Sequence, residues 1–210
     1  MRTNRRLLLF TRYPEAGKTK TRLIPELGAD GAARLQQRLT ERVFAQANLL
    51  GQRFGIETIV HYCGGTGKQM TSWLGPVRCI EQAAGDLGHR MRAAFQHSFT
   101  DNADTVVLIG SDIPDLSVHL LAQGFTSLLS REVVLGPSRD GGYYLIGLVA
   151  RRASQLLPLL FENIRWSGGE VFADTLDRLL RAGIDVATLP MLRDVDLPAD
   201  LPFAGKRGLL

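Results

Sequence analysis

Seven short apolar runs punctuate the 210 residues, with amphipathic stretches between them, and this alternation constrains the fold more than any other feature of the chain. The runs cover residues 6–11, 56–61, 77–80, 105–109, 132–136, 143–149 and 184–189. In 30–50, Leu35, Leu39, Val43, Ala47 and Leu50 recur at helical spacing. In 169–182, Phe172, Leu176, Leu179 and Leu180 form the stripe, with Asp174–Arg178 and Asp177–Arg181 four apart. Helices near 86–99 and 117–129 complete the pattern, and Asp115 or Ser117 is positioned to cap the latter, capping being the favoured use of the Asp115 carboxylate. Strands alternating with helices predict a mostly parallel sheet covered on both faces. Val106–Ile109 is apolar without alternation, as a central strand buried on both faces is. Between 132 and 149 two strand runs follow one another across Pro137-Ser138-Arg139-Asp140-Gly141-Gly142, which predicts a small antiparallel insertion.

Length and composition place the chain as one α/β domain over residues 1–210, with no repeat or linker. The net charge of +4 suits phosphorylated small molecules. Nucleic acid is not the expected partner, because no basic stripe with interleaved aromatics is present. Cys63 and Cys79 match no metal or redox spacing and read as free thiols. The apolar run after Arg6 is too short for a secretory signal or a membrane span, so a cytoplasmic protein with no membrane segment is expected.

Gly17-Lys18-Thr19 follows the first apolar run and mimics a phosphate loop, but Arg12 occupies the position of the leading glycine. Gly64–Gln69 fails the same pattern twice, at Tyr62 and at Gln69. Neither is a Walker loop. Lys18, Lys20 and Arg22 nonetheless supply cations just beyond the first strand, where phosphate oxygens need such donors; a solvated basic loop is the alternative.

Three further stretches fall at strand ends. Gly110-Ser111-Asp112 puts a carboxylate at the sheet's carboxyl edge, a post suited to a hard divalent cation that also bridges to phosphate. Residues 135–148 hold Arg139-Asp140 before two glycines, either an ordinary hairpin turn or a loop that must approach something closely. Tyr143 and Tyr144 point to opposite faces, so at most one reaches a site. Asp194 and Asp196, two apart, face one side of an extended chain and either complete a divalent-ion site with Asp112 or form an acidic surface segment. In 81–91, Gln82, Gly85 and Asp86 either read a base or ribose, or belong to a helix start capped by Asp86. Trp166, in a polar Gly-rich setting, is a stacking surface for a substrate or a half-buried residue. None of the four histidines sits in a triad-like pattern, so a zinc or hydrolase site has no support.

Taken in order, "PEAGKTKTRL", "GDLGHRM", "GSDIPDL", "LGPSRDGGYYLIGL", "RWS" and "DVDLPADL" resemble the bacterial radical-SAM/selenodomain-associated glycosyltransferases, relatives of the phospholactate and molybdenum cofactor guanylyltransferases. The resemblance runs from about residue 6 to 202 and implies a Rossmann-like, three-layer GT-A fold, that of the nucleotide-diphospho-sugar transferases. It implies phosphate contacts for Lys18, Lys20 and Arg22, with Lys20 also catalytic. It further implies Mg²⁺ or Mn²⁺ at Asp112 with Asp194 or Asp196, and a base or ribose near Gln82, Gly85 and Asp86. Asp140 is the candidate base for an acceptor hydroxyl, and Tyr143 and Trp166 are candidate acceptor contacts. Only Ser111-Asp112 follows the fourth strand, with no Asp-x-Asp, so nucleotidyl transfer from an NTP stays open beside glycosyl transfer. A non-catalytic nucleotide-binding domain is the reading from another class. The partners implied are a nucleotide sugar or NTP and a small acceptor; monomer and homodimer remain open.

Overall fold

The computed structural model describes residues 3–166 and 169–210. Its sheet grows from β1 (Arg5–Arg12), flanked in parallel by β2 (Glu57–Cys63) and β4 (Thr105–Gly110). With β3 (Arg78–Glu81), β5 (Val133–Pro137), β6 (Tyr143–Val149) and β7 (Val186–Thr188), the order is β3-β2-β1-β4-β6-β5-β7. Six strands run parallel, and β6 alone is reversed, wedged between β4 and β5. The antiparallel insertion is therefore inside the sheet, not beside it.

Side chains of β1 alternate between two cores. Leu7 and Leu9 join the cluster under α1 (Ile24–Phe54), α2 (Gly67–Leu74) and α4 (Val118–Ser127). Leu8 and Phe10 join the cluster under α3 (Leu87–Thr100), α5 (Ala153–Phe161) and α6 (Val171–Arg181). A third, smaller cluster packs α7 (Leu201–Lys206) and Val195 against the first half of α1. This is the expected α/β/α sandwich, with burial on both sheet faces driving it.

The expected 30–50 helix is longer and is broken at Gly28 (φ 68°, ψ 167°), a conformation that only glycine adopts at low cost. α2, α5 and α7 lay outside the expected elements. Residues 64–69 are a turn followed by a capping box: Thr66 accepts from the Gln69 N–H and the Gln69 side chain accepts from the Thr66 N–H. At α4 the cap is Ser117, which accepts from Leu120 N, and not Asp115. Asp115 is instead clasped by both nitrogens of the Arg207 fork, at 2.5 and 2.8 Å, which holds its carboxyl below the usual range. Among the described residues, no helix is long and apolar enough to cross a membrane. Both cysteines are free thiols.

Candidate functional site

The chain runs from β1 outward through β2 to β3, then returns to place β4 on the other side of β1. The sheet's switch point thus lies between β1 and β4, and in open α/β sheets ligands bind outside the carboxyl ends of the strands there. A cleft of about 500 Å³ opens at this point, lined by Lys18, Lys20, Arg22, Gln82, Asp112 and Asp196 among others.

A buried polar network holds the two strand ends together. Gln36 and Thr40, one turn apart on α1, reach Thr11 at the end of β1 and Ser111 just past β4. The Gln36 amide donates to Ser111 Oγ at 3.0 Å, and Ser111 Oγ in turn approaches Asp112 Oδ1 at 3.5 Å. Satisfied buried networks of this kind fix a single geometry. Sequence reasoning gave these four residues no network role, although two polar residues four apart beside the Leu35/Leu39 stripe were the available signal.

The loop after β1 separates its three cations. Lys18 and Arg22 stay in solvent, their side chains 66% and 69% exposed, and pair with Glu15 and Asp196. Lys20 turns inward and is 3% exposed, from a left-handed backbone (φ 49°, ψ 43°) that costs a side-chain-bearing residue on the order of 1 kcal/mol. Its ammonium donates to Val195 O at 2.7 Å and sits 2.9 Å from Asp112 Oδ1 and 3.2 Å from Asp196 Oδ1. Burial opposes the charge, but the two carboxylates outweigh it and the ammonium's pKa is raised. The three cations expected to contact phosphate are therefore not equivalent. Two cations face the cleft mouth, and the third neutralises the acids beneath.

The same contacts separate the two C-terminal acids. Residues 190–196 run along the end of β5, through the Leu192 N–Pro137 O and Arg139 N–Leu192 O bonds, and reach β4, where Val195 N donates to Asp112 O. Asp196 is thus brought to Asp112. Asp194 is half-buried, and its carboxyl is pushed up by burial first and then by the charge of Asp140, with Asp200 and Asp196 adding to it.

Hard oxygen donors fit a divalent ion here. Mg²⁺ takes one or two carboxylates and completes its shell with water and substrate phosphate. The Asp112 and Asp196 side chains, about two-fifths exposed at the cleft, meet at one point, which Lys20 shares. Among the described residues, no group of three or more His, Cys, Asp or Glu could hold a metal ion, and this pair would be the protein's share of such a shell.

The 81–91 segment divides between its two expected readings, with Asp86 taking the cap. The Gln82 amide donates to Thr11 O and His61 O and its oxygen accepts from Arg90, so it ties strand ends at the cleft wall. Asp86 caps α3 by accepting from His89 N at 2.8 Å, and Gly85 (φ 108°) packs under the His89 ring. Neither Gly85 nor Asp86 lines the cleft; Leu87 does.

A second cavity of about 200 Å³ adjoins the cleft, and Phe10, Leu87 and Gly110 line both. Asp140 stands on its wall, with Oδ1 accepting from Ser138 Oγ and from Gly142 N at 2.9 Å. The Gly-Gly pair is there for close approach. A Cβ on Gly141 (φ 90°) would lie 1.8 Å from Gly169 O, where the start of α6 comes up against the turn. Tyr143 faces this cavity's core cluster and Tyr144 the opposite one, so the two rings point to opposite faces as expected. Trp166 meets Tyr143 edge-on at 6.4 Å and stacks on Phe161, half-buried.

The family model described as "Uncharacterized protein conserved in bacteria (DUF2064)" matches residues 46–168. A solved protein of Desulfovibrio desulfuricans G20, provisionally described as a nucleotide-diphospho-sugar transferase, is 35% identical, with 93% of this chain and 84% of that one covered and a TM-score of 0.85. The fold alone is shared with CMP:2-keto-3-deoxy-manno-octonic acid synthetase complexed with CTP (16% identity, 99% and 98% covered, TM-score 0.58). It is shared equally with glucosyl-3-phosphoglycerate synthase of Mycobacterium tuberculosis in complex with Mn²⁺, UDP and phosphoglyceric acid (15%, 99% and 76%, TM-score 0.60). No curated protein matches the sequence. The fold is that of the nucleotide-diphospho-sugar transferases and nucleotidyltransferases, and the chain, matched over more than half its length, belongs to the bacterial family DUF2064.

Proposed function

We propose that the protein is a divalent-metal-dependent transferase that binds an activated nucleotide in the switch-point cleft and passes a glycosyl group from a nucleotide-diphospho-sugar to a small acceptor. The observation that carries this reading is the meeting of Lys20, Asp112 and Asp196 beneath the exposed Lys18 and Arg22, next to a separate cavity that holds Asp140. Lys18 and Arg22 are placed to bind the diphosphate and to stabilise the charge it gains on leaving, in a partly enclosed site where such contacts are strong. Lys20 orients both acids by its two contacts. Asp112 and Asp196 would hold Mg²⁺ or Mn²⁺, which supplies Lewis-acid stabilisation of the diphosphate. Asp140, its carboxylate fixed by Ser138 and Gly142, is placed to take the acceptor's proton. The 35% identical relative and the resemblance to the radical-SAM/selenodomain-associated glycosyltransferases support the glycosyl route.

Nucleotidyl transfer from an NTP is the second reading, favoured by one observation: a lone Asp112, without Asp-x-Asp, follows β4. The products decide between them, since a nucleotide sugar would release nucleoside diphosphate and an NTP would release pyrophosphate. Thermal-shift screening of NTPs and nucleotide sugars with and without Mn²⁺ comes first, because a ligand held only by the folded state raises the melting temperature. Asp112→Ala is expected to abolish the Mn²⁺-dependent part of the shift. Survival of that part would overturn the metal assignment, and no shift with any nucleotide would overturn both enzyme readings.

A further inference from the structure

The second cavity has its own chemistry, unlike that of the cleft it adjoins. Phe10, Met91, Leu108, Ile146, Tyr143 and Trp166 give it hydrocarbon and aromatic walls. Tyr143 and Trp166 stand nearly at right angles, 85° apart, so a flat group can stack on one ring while meeting the edge of the other. Three residues with polar side-chain groups, Ser138, Asp140 and Tyr143, interrupt the lining. The Tyr143 hydroxyl is buried without a hydrogen-bond partner among the described residues, an arrangement that costs stability until something supplies an acceptor. The wall is also a built one. A Cβ on Gly88 would lie 2.2 Å from the Trp166 indole nitrogen, so the glycine at the start of α3 is what lets the indole close the cavity.

Size and polarity narrow the occupant. An apolar cavity of about 150 Å³ accommodates benzene. At about 200 Å³ this one takes a single ring with a small substituent. A sugar or polyol would set several hydroxyls against hydrocarbon without partners. We infer that the cavity takes an acceptor hydroxyl carried on a single apolar ring, with the hydroxyl oxygen accepting from Tyr143 and its proton directed at Asp140. The step rests on the glycosyl reading above. The acceptor oxygen bonds to the anomeric carbon of the nucleotide sugar as the bond from that carbon to the diphosphate oxygen breaks. The diphosphate leaves with the bonding electrons, and the acceptor's proton goes to Asp140.

Trp73→Phe leaves Trp166 as the protein's one tryptophan and its emission as the reporter. In that background 4-methylphenol is expected to give a saturable change, toluene a weaker one, and glycerol none. Adding Tyr143→Phe should weaken 4-methylphenol about tenfold, the worth of one hydrogen bond, and leave toluene unchanged. No saturable response to 4-methylphenol, an equal response to glycerol, or equal weakening of both rings would overturn the inference. Should Tyr143→Phe fail to fold, Gly88→Ala, which displaces the indole, is expected to remove the 4-methylphenol response and keep the nucleotide thermal shift; retention of the phenol response would count against the inference. UDP-glucose and GTP with Mn²⁺, run on the same samples, separate the two levels. A nucleotide shift without a phenol response overturns only this inference. A phenol response without any nucleotide shift preserves the ligand class and overturns the transferase reading.

Discussion

The cleft and the cavity beside it share the end of β1, yet one is built from charge and the other from hydrocarbon. The division begins with the backbone alternation of a single strand: Thr11 turns to the Gln36–Ser111 network under the cleft, and Phe10 turns to the opposite core and walls the cavity. On the proposed function, two neighbouring residues thereby divide a charged donor site from an apolar acceptor site at one strand end. A transferase needs both, a site for a highly charged donor and a drier one where an acceptor meets its base.

The sharpest way to break this comparison is to remove the cation at the foot of the charged half. In Lys20→Met the side chain keeps its length and loses the charge between Asp112 and Asp196. Turnover of a nucleotide sugar is expected to fall about 10²–10³-fold, the scale on which preorganised electrostatic contacts act, while the 4-methylphenol response at Trp166 is unchanged. Equal loss of both would show that cleft and cavity are one site and not two. The Mn²⁺ concentration that half-saturates a thermal shift without nucleotide should fall in the same variant, because the ammonium no longer competes for the two acids.

The charged half was the more legible one in the sequence, for a physical reason. Lys18, Lys20, Arg22, Asp112 and Asp196 are residue types that the interior rejects unless paired, so their clustering after predicted strands was informative. Pattern could not show that Lys20 turns inward. That depends on one left-handed residue and on Val195 and Asp196, which are 175 and 176 residues away in the chain. The cavity was far less visible. Phe10, Leu108 and Ile146 read as strand core because strand periodicity does not distinguish a wall from a packed layer. Tyr143 and Trp166 were singled out by type, but the need for Gly88 beneath the indole appears only where α3 and residue 166 meet. The seven strands were legible throughout. The place of β6 between β4 and β5 was not, because sequence order does not give spatial order in a sheet.

A middle-sized effect tests the partition that the two halves share. His61 stacks on Phe10 at 5.4 Å, behind the common wall, and its Nε2 is buried without a partner among the described residues. Burial first, then the charges of His97 and Arg78, push its pKa down to about 4 from 6.5. In the folded state the ring stays neutral, whereas in the unfolded chain it takes up a proton below 6.5. The unfolded state therefore binds more protons between 6.5 and 4, and stability falls as pH falls through that window. The loss between pH 7 and 4.5 is about 2 kcal/mol for a shift of this size. In urea unfolding at the two pH values, His61→Phe should remove most of that difference and lose nothing at pH 7. An unchanged pH dependence would place the cost elsewhere.

The smallest effect sharpens the charged half alone. Asp115 and Arg207 tie the loop that carries Asp112 to the C-terminal segment, and Arg207 and Arg193 both lie over the Phe203 ring, at 4.8 and 5.1 Å. The pair is bidentate, but each side chain is about a third exposed, so its worth is below about 1 kcal/mol. Arg207 depresses the Asp115 pKa, so the contribution is present above the unfolded value of 3.8 and is lost as pH drops through the lower folded value. Asp115→Asn is accordingly expected to cost less than about 1 kcal/mol at pH 7 and progressively less as pH falls below 3.8. Its effect on turnover should be smaller still. Val195 N already donates to Asp112 O at 3.0 Å, which fixes the two acid-bearing segments in register one residue from Asp196, without help from Asp115. A loss of turnover on the Lys20→Met scale would mean that this backbone bond alone does not hold Asp112 and Asp196 together.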